Sequence, residues 1–410
     1  MLMKEEENDE QVVDPMTFPE PKMQKVPPML RDRKNFEKYF EPRAVSLGPL
    51  HHGKLKLQVA EKYKPKLTKR FIKDRGTDKG KDLYKKIWNN IKELRDCFDE
   101  EVTKNLDNKT LAWMLFLDGC STLQFIHSLV RNELKKFKIK NDQIAFSQQD
   151  LFLLENQLPY RLLKLLMNDD NNDKNSNNKY EESIMEFIHM NVMAPPKYMS
   201  KINQPPKTTQ PQMPPAAKEK KTGRREKEKM LGHKISYRNV QELKAAGIQL
   251  KPSGTLSLKE IKFNSRCIAS YLKLPPLIVD DSTGPLFFNL IAYEMCPDNF
   301  LTDYGVTSYV SFLYSLIDDA GDVKDLRYAN VLENSLGSDA EVAELFNEIG
   351  TDLVPNPEAY MEVKDRIQKH YENKCTTWMA QVYYDHFSNP WTTMAFNAAL
   401  VALALSGVQT

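Results

Sequence analysis

The sequence predicts a mainly α-helical, bundle-like body with a small antiparallel β ribbon around residues 256–279 and a long disordered insertion. Three observations carry this expectation. Apolar residues recur at spacings of three and four through residues 83–165 and again after Gly284. Alternation of apolar, β-branched and aromatic residues is confined to the ribbon segment. Between the helical regions lies a proline-rich and then charged stretch that has no core to offer. Only 15 glycines occur in 410 residues, which disfavours folds built from many tight turns.

Residues 1–25 are polar and dotted with Pro15, Pro19 and Pro21, and read as a disordered tail. Order is expected from Val26. Residues 40–53 hold two prolines and two glycines and read as a packed loop. Leu83, Ile87, Ile91, Leu94, Phe98 and Val102 form one helical face. Leu111, Met114, Leu115 and Leu117 open a more buried helix that runs to Val130. Leu151, Leu154, Leu158, Leu162 and Leu165 keep helical spacing, but Pro159 lies among them, so a kink or two abutting helices are expected. Residues 168–179 contain no apolar side chain and read as a loop before a short helix over 180–192.

Seven prolines fall within 194–215, and residues 216–229 are almost entirely charged. Residues 201–234 carry ten Lys and Arg against three Asp and Glu, a local +7 that leaves −5 of the chain's +2 for everything else. The basic character thus belongs to one extended linker. Beyond it, Ser236 can cap a helix over 237–246 that stops at Gly247. Leu256, Leu258, Ile261, Phe263 and residues 268–279 follow as two or three short strands. Helices are expected over 285–296, 306–319, 339–350 and 357–388, and a last one from Pro390. The organisation is a tail (1–25), a first helical half (26–192), a linker (193–234), a second half (235–393) and an apolar terminal helix (394–410).

With 58 basic and 56 acidic residues, no whole-chain field draws the protein to nucleic acid or acidic lipid. Five cysteines stand far apart without CxxC spacing, which points to reduced thiols in a cytosolic setting rather than to disulfides or zinc. The acidic N-terminus lacks the apolar core of a secretory signal. Residues 394–408 carry no charge, yet they number 15 where a bilayer span needs about 20. A buried terminal helix and peripheral membrane contact are the two readings of that run. The basic residues of 218–229 offer a nuclear address, and without interleaved aromatics they do not support base stacking.

No P-loop, GxGxxG, GxSxG or HExxH occurs. His51-His52 is the most conspicuous histidine feature, but adjacent side chains diverge and a loop pair bonded to backbone is the leading reading. Asp118 interrupts an apolar helix and is expected to be paired. Glu155-Asn156-Gln157 precede Pro159 and are expected to satisfy backbone groups near it. Asp280-Asp281 and Asp318-Asp319 read as capping or solvated acids. An enzymatic alternative, a hydrolase or transferase, requires His51 or His52 to converge with Asp118 or Glu155 in one pocket. No catalytic, cofactor-binding or metal-binding residue is assigned.

Several blocks together resemble a plant-specific family, the domain of unknown function 247, also catalogued as uncharacterised protein family 0481. These blocks are VPPML (26–30), PRAVSLGPLHHG (42–53), LDGC (117–120), DLFLLENQLP (150–159), ELKAAG (242–247) and FNLIAYE (288–294). Thr307-Ser308-Tyr309-Val310, Phe346-Asn347 and Pro390-Trp391 add to them. The resemblance implies a mostly helical protein with a small β element and an apolar C-terminal segment often taken as a membrane anchor. It brings no catalytic residue, and relatives in grasses are implicated in self-incompatibility recognition. Two departures stand out: Ser121 replaces the aromatic of the family's DGCF, and the apolar terminal run is shorter than in relatives. The expected function is therefore that of a non-catalytic interaction or signalling protein with protein partners, at the cytosolic face of a membrane or in the cytoplasm. Nucleic-acid binding through the linker is the remaining alternative.

Overall fold

In this computed structural model the described residues are 21–76, 79–168, 174–191, 239–265 and 270–372, with Met394, Ala398, Ala399 and Val401; the side chains of 174–178 are outside the description. The expectations for the linker, Ser236, Cys267, Cys375 and nearly all of 373–410 fall outside these residues. The described chain already includes residues 21–25, ahead of Val26. Met23 bridges to Phe98 in parallel, its N–H donating to the Cys97 carbonyl at 2.8 Å.

The main helices of the first half are α1 (Lys64–Arg75), α2 (Lys79–Asn89), α3 (Ile91–Asp96), α4 (Asn108–Val130), α5 (Asn141–Asp150), α6 (Tyr160–Met167) and α7 (Lys174–Met190). Asp107 starts α4 by accepting the Thr110 N–H at 2.7 Å. Fifteen of its 23 residues are buried, because α1, α2, α6 and α7 pack around it. The expected face is buried from Leu83 to Phe98 and half-buried at Val102, and the helix under it is broken at Asn90 and Cys97. Helix α7 begins at Lys174 and so overturns the loop expected through residue 179. A 17-residue helix can include a polar first turn when its later turns bury Tyr180 and Phe187.

The segment around Pro159 departs most from its periodicity. Residues 151–159 are not helical, and α6 begins at Tyr160 with Pro159 as its cap, where the missing N–H costs nothing. The leucine spacing is real, but polar side chains in between bind the chain in another path, described below.

The second half contains α8 (Val240–Ala245), β1 (Ile248–Pro252), β2 (Lys262–Asn264), β3 (Ser270–Leu274), β4 (Leu277–Val279), α9 (Thr283–Glu294), α10 (Gly305–Tyr314), α11 (Ala320–Tyr328), β5 (Leu332–Asn334), α12 (Asp339–Gly350) and α13 (Met361–Glu372). Gly247 ends α8 at φ 78°. The antiparallel ribbon is β2 against β3, with Phe263 opposite Leu272. The structure adds β1, parallel to β3, and a separate parallel pair of β4 with β5. Asp319 caps α11 by accepting the Gly321 N–H at 2.6 Å, the role expected of that acid pair.

The second half has its own core, and residues 26–40 belong to it. Val26, Leu30, Tyr39 and Phe40 are buried with Phe287, Phe288, Phe312 and Phe346. The Tyr39 and Phe40 rings stand 4.4 and 5.8 Å from that of Phe288. The first half packs around Phe71, Leu115 and Leu162. Phe288→Ala is expected to cost about 3–5 kcal/mol and to release residues 26–40. Denaturant unfolding should show the loss, and limited proteolysis should show new cleavage between Asp32 and Phe36; unchanged cleavage would contradict this packing.

Candidate functional site

Residues 41–53 form the packed loop expected from their prolines and glycines. Outside helix and sheet, its buried amides need other partners. Side chains provide them. The Asp150 carboxylate, at the end of α5, accepts the N–H groups of Arg43 at 3.0 Å, Ala44 at 2.6 Å and Val45 at 2.9 Å. Asn156 accepts the Leu47 N–H at 2.7 Å and donates to the carbonyls of Val45 and Asp150 at 3.1 and 2.9 Å. Gln157 donates to the carbonyls of Leu151 and Leu153 at 2.7 and 2.8 Å, which holds residues 151–158 out of helix.

Asp118 continues the same seam from α4. It accepts the Gly48 N–H at 2.9 Å and pairs with the Lys64 ammonium at 2.7 Å. Lys64 also donates to the Ser46 carbonyl at 2.6 Å and pairs with Glu61 at 2.5 Å. Gly48 is held at φ +66°, and a Cβ there would stand 3.0 Å from the Gln157 carbonyl oxygen, so glycine is required. Burial pushes the Asp118 carboxyl above its ordinary range, against the pull of the Lys64 ammonium and the Gly48 N–H. Burial likewise raises Asp150 despite its three amides.

Glu155 completes the seam toward the N-terminal segment. It accepts the Val26 N–H at 2.7 Å and pairs with Arg31. His51 Nε2 stands 3.5 Å from its second oxygen, and neither ring nitrogen makes a hydrogen bond to a described residue. The ring is 3% exposed, and this burial pulls its pKa down to about 4, so it is neutral at pH 7. His52 is exposed. Asn289 of α9 joins all three segments: it accepts the Leu154 N–H at 2.7 Å and donates to the Tyr39 carbonyl at 2.8 Å.

The structure thus brings His51 to Glu155 but ties Asp118 to Lys64 and Gly48. The expected backbone bonds of a histidine pair are not made by the His51 ring. Asp280 accepts the Ser282 N–H at 2.8 Å in the turn before α9 and does not cap that helix, whose cap residue is Ser282. Among the described residues no group of three or more His, Cys, Asp or Glu could hold a metal ion, and the buried Cys120 and Cys296 are free thiols. A cavity of about 230 Å³ lies beside the seam, lined by α1, α4, α5 and residues 43–47. His51, His52, Asp118 and Glu155 are not on its lining. Lys64, Asp150 and Asn289 were not singled out from the sequence. An acid immediately before a leucine run is a usable signal for Asp150, whereas Lys64 stands among many lysines and only the fold selects it.

A profile described as a plant protein of unknown function, the domain of unknown function 247, matches residues 23–405. The chain belongs to that family. UPF0481 protein At3g47200 of Arabidopsis thaliana is 26% identical over 419 residues, spanning 91% of this chain and 82% of that protein. The putative UPF0481 protein At3g02645 of the same plant is 20% identical, spanning 90% and 86%. No solved structure matches the chain. Three of the blocks that resemble the domain of unknown function 247 now have a physical reading. PRAVSLGPLHHG is the loop that is held, DLFLLENQLP holds it, and FNLIAYE supplies Asn289. Ser121, flanking the LDGC block, lies on the cavity wall.

Two measurements check this seam. Lys64→Met should destabilise the protein by about 3–5 kcal/mol by leaving Asp118 buried without its cation, and Asp118→Leu added to it should restore part of the loss. Two independent, additive losses would contradict the pairing. His51 is neutral when folded, so its contribution is fully present above pH 6.5 and is lost as pH falls toward 4. Across that window wild type should lose about 2–3 kcal/mol more than His51→Gln; parallel pH profiles would contradict a neutral buried ring.

Proposed function

We propose that this chain is a non-catalytic plant interaction protein whose helical body serves protein partners. The observation that carries this reading is how the buried acids are used. Asp118, Asp150 and Glu155 each bind backbone amides, and Asp118 and Glu155 also bind a cation. A reaction centre needs polar groups that face a space for substrate, and these face the protein's own backbone. An exposed aromatic group adds support: Trp113 is 57% exposed beside Tyr84, and Trp88, one turn further along α2, is 44% exposed. Aromatic side chains of this kind are favoured at protein interfaces.

Peripheral contact with a membrane through residues 394–408 is the finer part of the proposal, supported by the charge-free composition of that run. Among the described residues no helix is long and apolar enough to cross a membrane. Nucleic acid is not part of the reading, since the basic run of 218–229 has no aromatic residue for stacking.

Proximity labelling in plant cells with the full chain tests the main proposal. A reproducible set of neighbours, enriched over a freely diffusing control, is expected; a profile equal to the control overturns it, as does turnover of a defined metabolite by the purified protein. For the finer part, the full chain should co-fractionate with membranes and a chain ending at Ser388 should not. Equal fractionation of two folded proteins removes membrane contact.

A further inference from the structure

We propose that the cavity beside the seam binds a small aryl carboxylate, with its ring inside and its single negative charge at the mouth. The cavity measures about 230 Å³ and its inner wall is apolar, with Leu67, Phe125 and Leu151 among its residues. A dry cavity of about 150 Å³ holds benzene, so this one accommodates a body of about nine non-hydrogen atoms. Tyr63 and Phe146 add aromatic faces to the lining, which suit a flat ring better than a flexible chain.

The charge follows from the cations on the lining. The Lys64 ammonium is already held by Asp118 and the Ser46 carbonyl, and Lys56 pairs with Glu41. Arg43 differs. It is exposed, lies 4.3 Å over the Phe146 ring, and donates to the Gln149 side chain, with no ion pair among the described residues. Its backbone N–H is fixed by Asp150, so the guanidinium is carried by an immobilised stretch of chain. A guanidinium stacked on an aromatic edge of an apolar cavity is suited to a planar carboxylate, which it can bind through two parallel hydrogen bonds. Asp142 is the single acid on the lining, and it disfavours a doubly charged head such as phosphate.

The buried part of the lining includes Ser121 and Thr122 of α4, so the space depends on small side chains there. Ser121 is buried on the lining, so an aromatic side chain at that point would take up cavity volume.

Titration calorimetry of the full chain with 3-phenylpropionate tests the proposal, with 3-phenylpropanamide as the uncharged counterpart. Saturable 1:1 binding of the acid at about 1 mM or tighter is expected. Arg43→Gln should weaken the acid roughly tenfold and bring it level with the amide. Ser121→Phe should abolish binding of both, with thermal unfolding confirming the fold. Val59→Trp, at an exposed position of the rim, gives the same reading should Ser121→Phe not fold. Absence of saturable binding overturns the proposal. So does binding that Arg43→Gln leaves unchanged, or that survives both filling substitutions.

Discussion

The Asp150 carboxylate accepts three consecutive amides of a loop 107 residues upstream, and the rest of the structure is arranged around that contact. Loops are normally at the surface because water completes their hydrogen bonds. This one is largely buried, with Ser46, Leu47, Gly48 and His51 inside. An unpaired buried backbone group costs about 1–3 kcal/mol, so several left unpaired would exceed what a domain of this size can tolerate. Side chains of residues 118 and 150–157 therefore take the place of a neighbouring strand.

The same contact explains how two hydrophobic cores become connected. Residues 26–40 leave the first half and pack with Phe288 in the second. Glu155 holds the beginning of that segment and Asn289 holds its end through the Tyr39 carbonyl. Leu154, between the loop-binding residues, is held by Asn289 in turn. Loop, N-terminal segment and second half meet at one polar seam. A network of this kind adds little net stability over an apolar substitute, but any other arrangement leaves its members unpaired. Its effect is to select one arrangement.

Much of the fold was legible in the sequence. Fifteen buried residues along Asn108–Val130 follow from a run whose one acid, Asp118, marks the point where the helix meets the loop. The stop at Gly247 and the capping role of Asp319 were readable from local chemistry alone. Residues 151–158 were misread because leucine spacing is a local signal, whereas Gln157 and Asn156 act on backbone groups that only the tertiary fold brings near. Strand β1 pairs in parallel with β3 and not with β2, which follows it in the chain, and no local pattern encodes such a partner. In the candidate site, Glu155 and Asp118 stood out as polar breaks in apolar runs. Their partners Arg31 and Lys64 did not, since one cation among many carries no mark of its future neighbour.

Amide hydrogen exchange of the folded chain tests the central claim most directly. If the 43–48 backbone is bound by Asp150, Asn156 and Asp118, the amides of Ala44, Val45, Leu47 and Gly48 should exchange as slowly as those in the middle of α4, although they lie outside helix and sheet. Exchange at the rate of an open surface loop would show that the seam does not hold the chain.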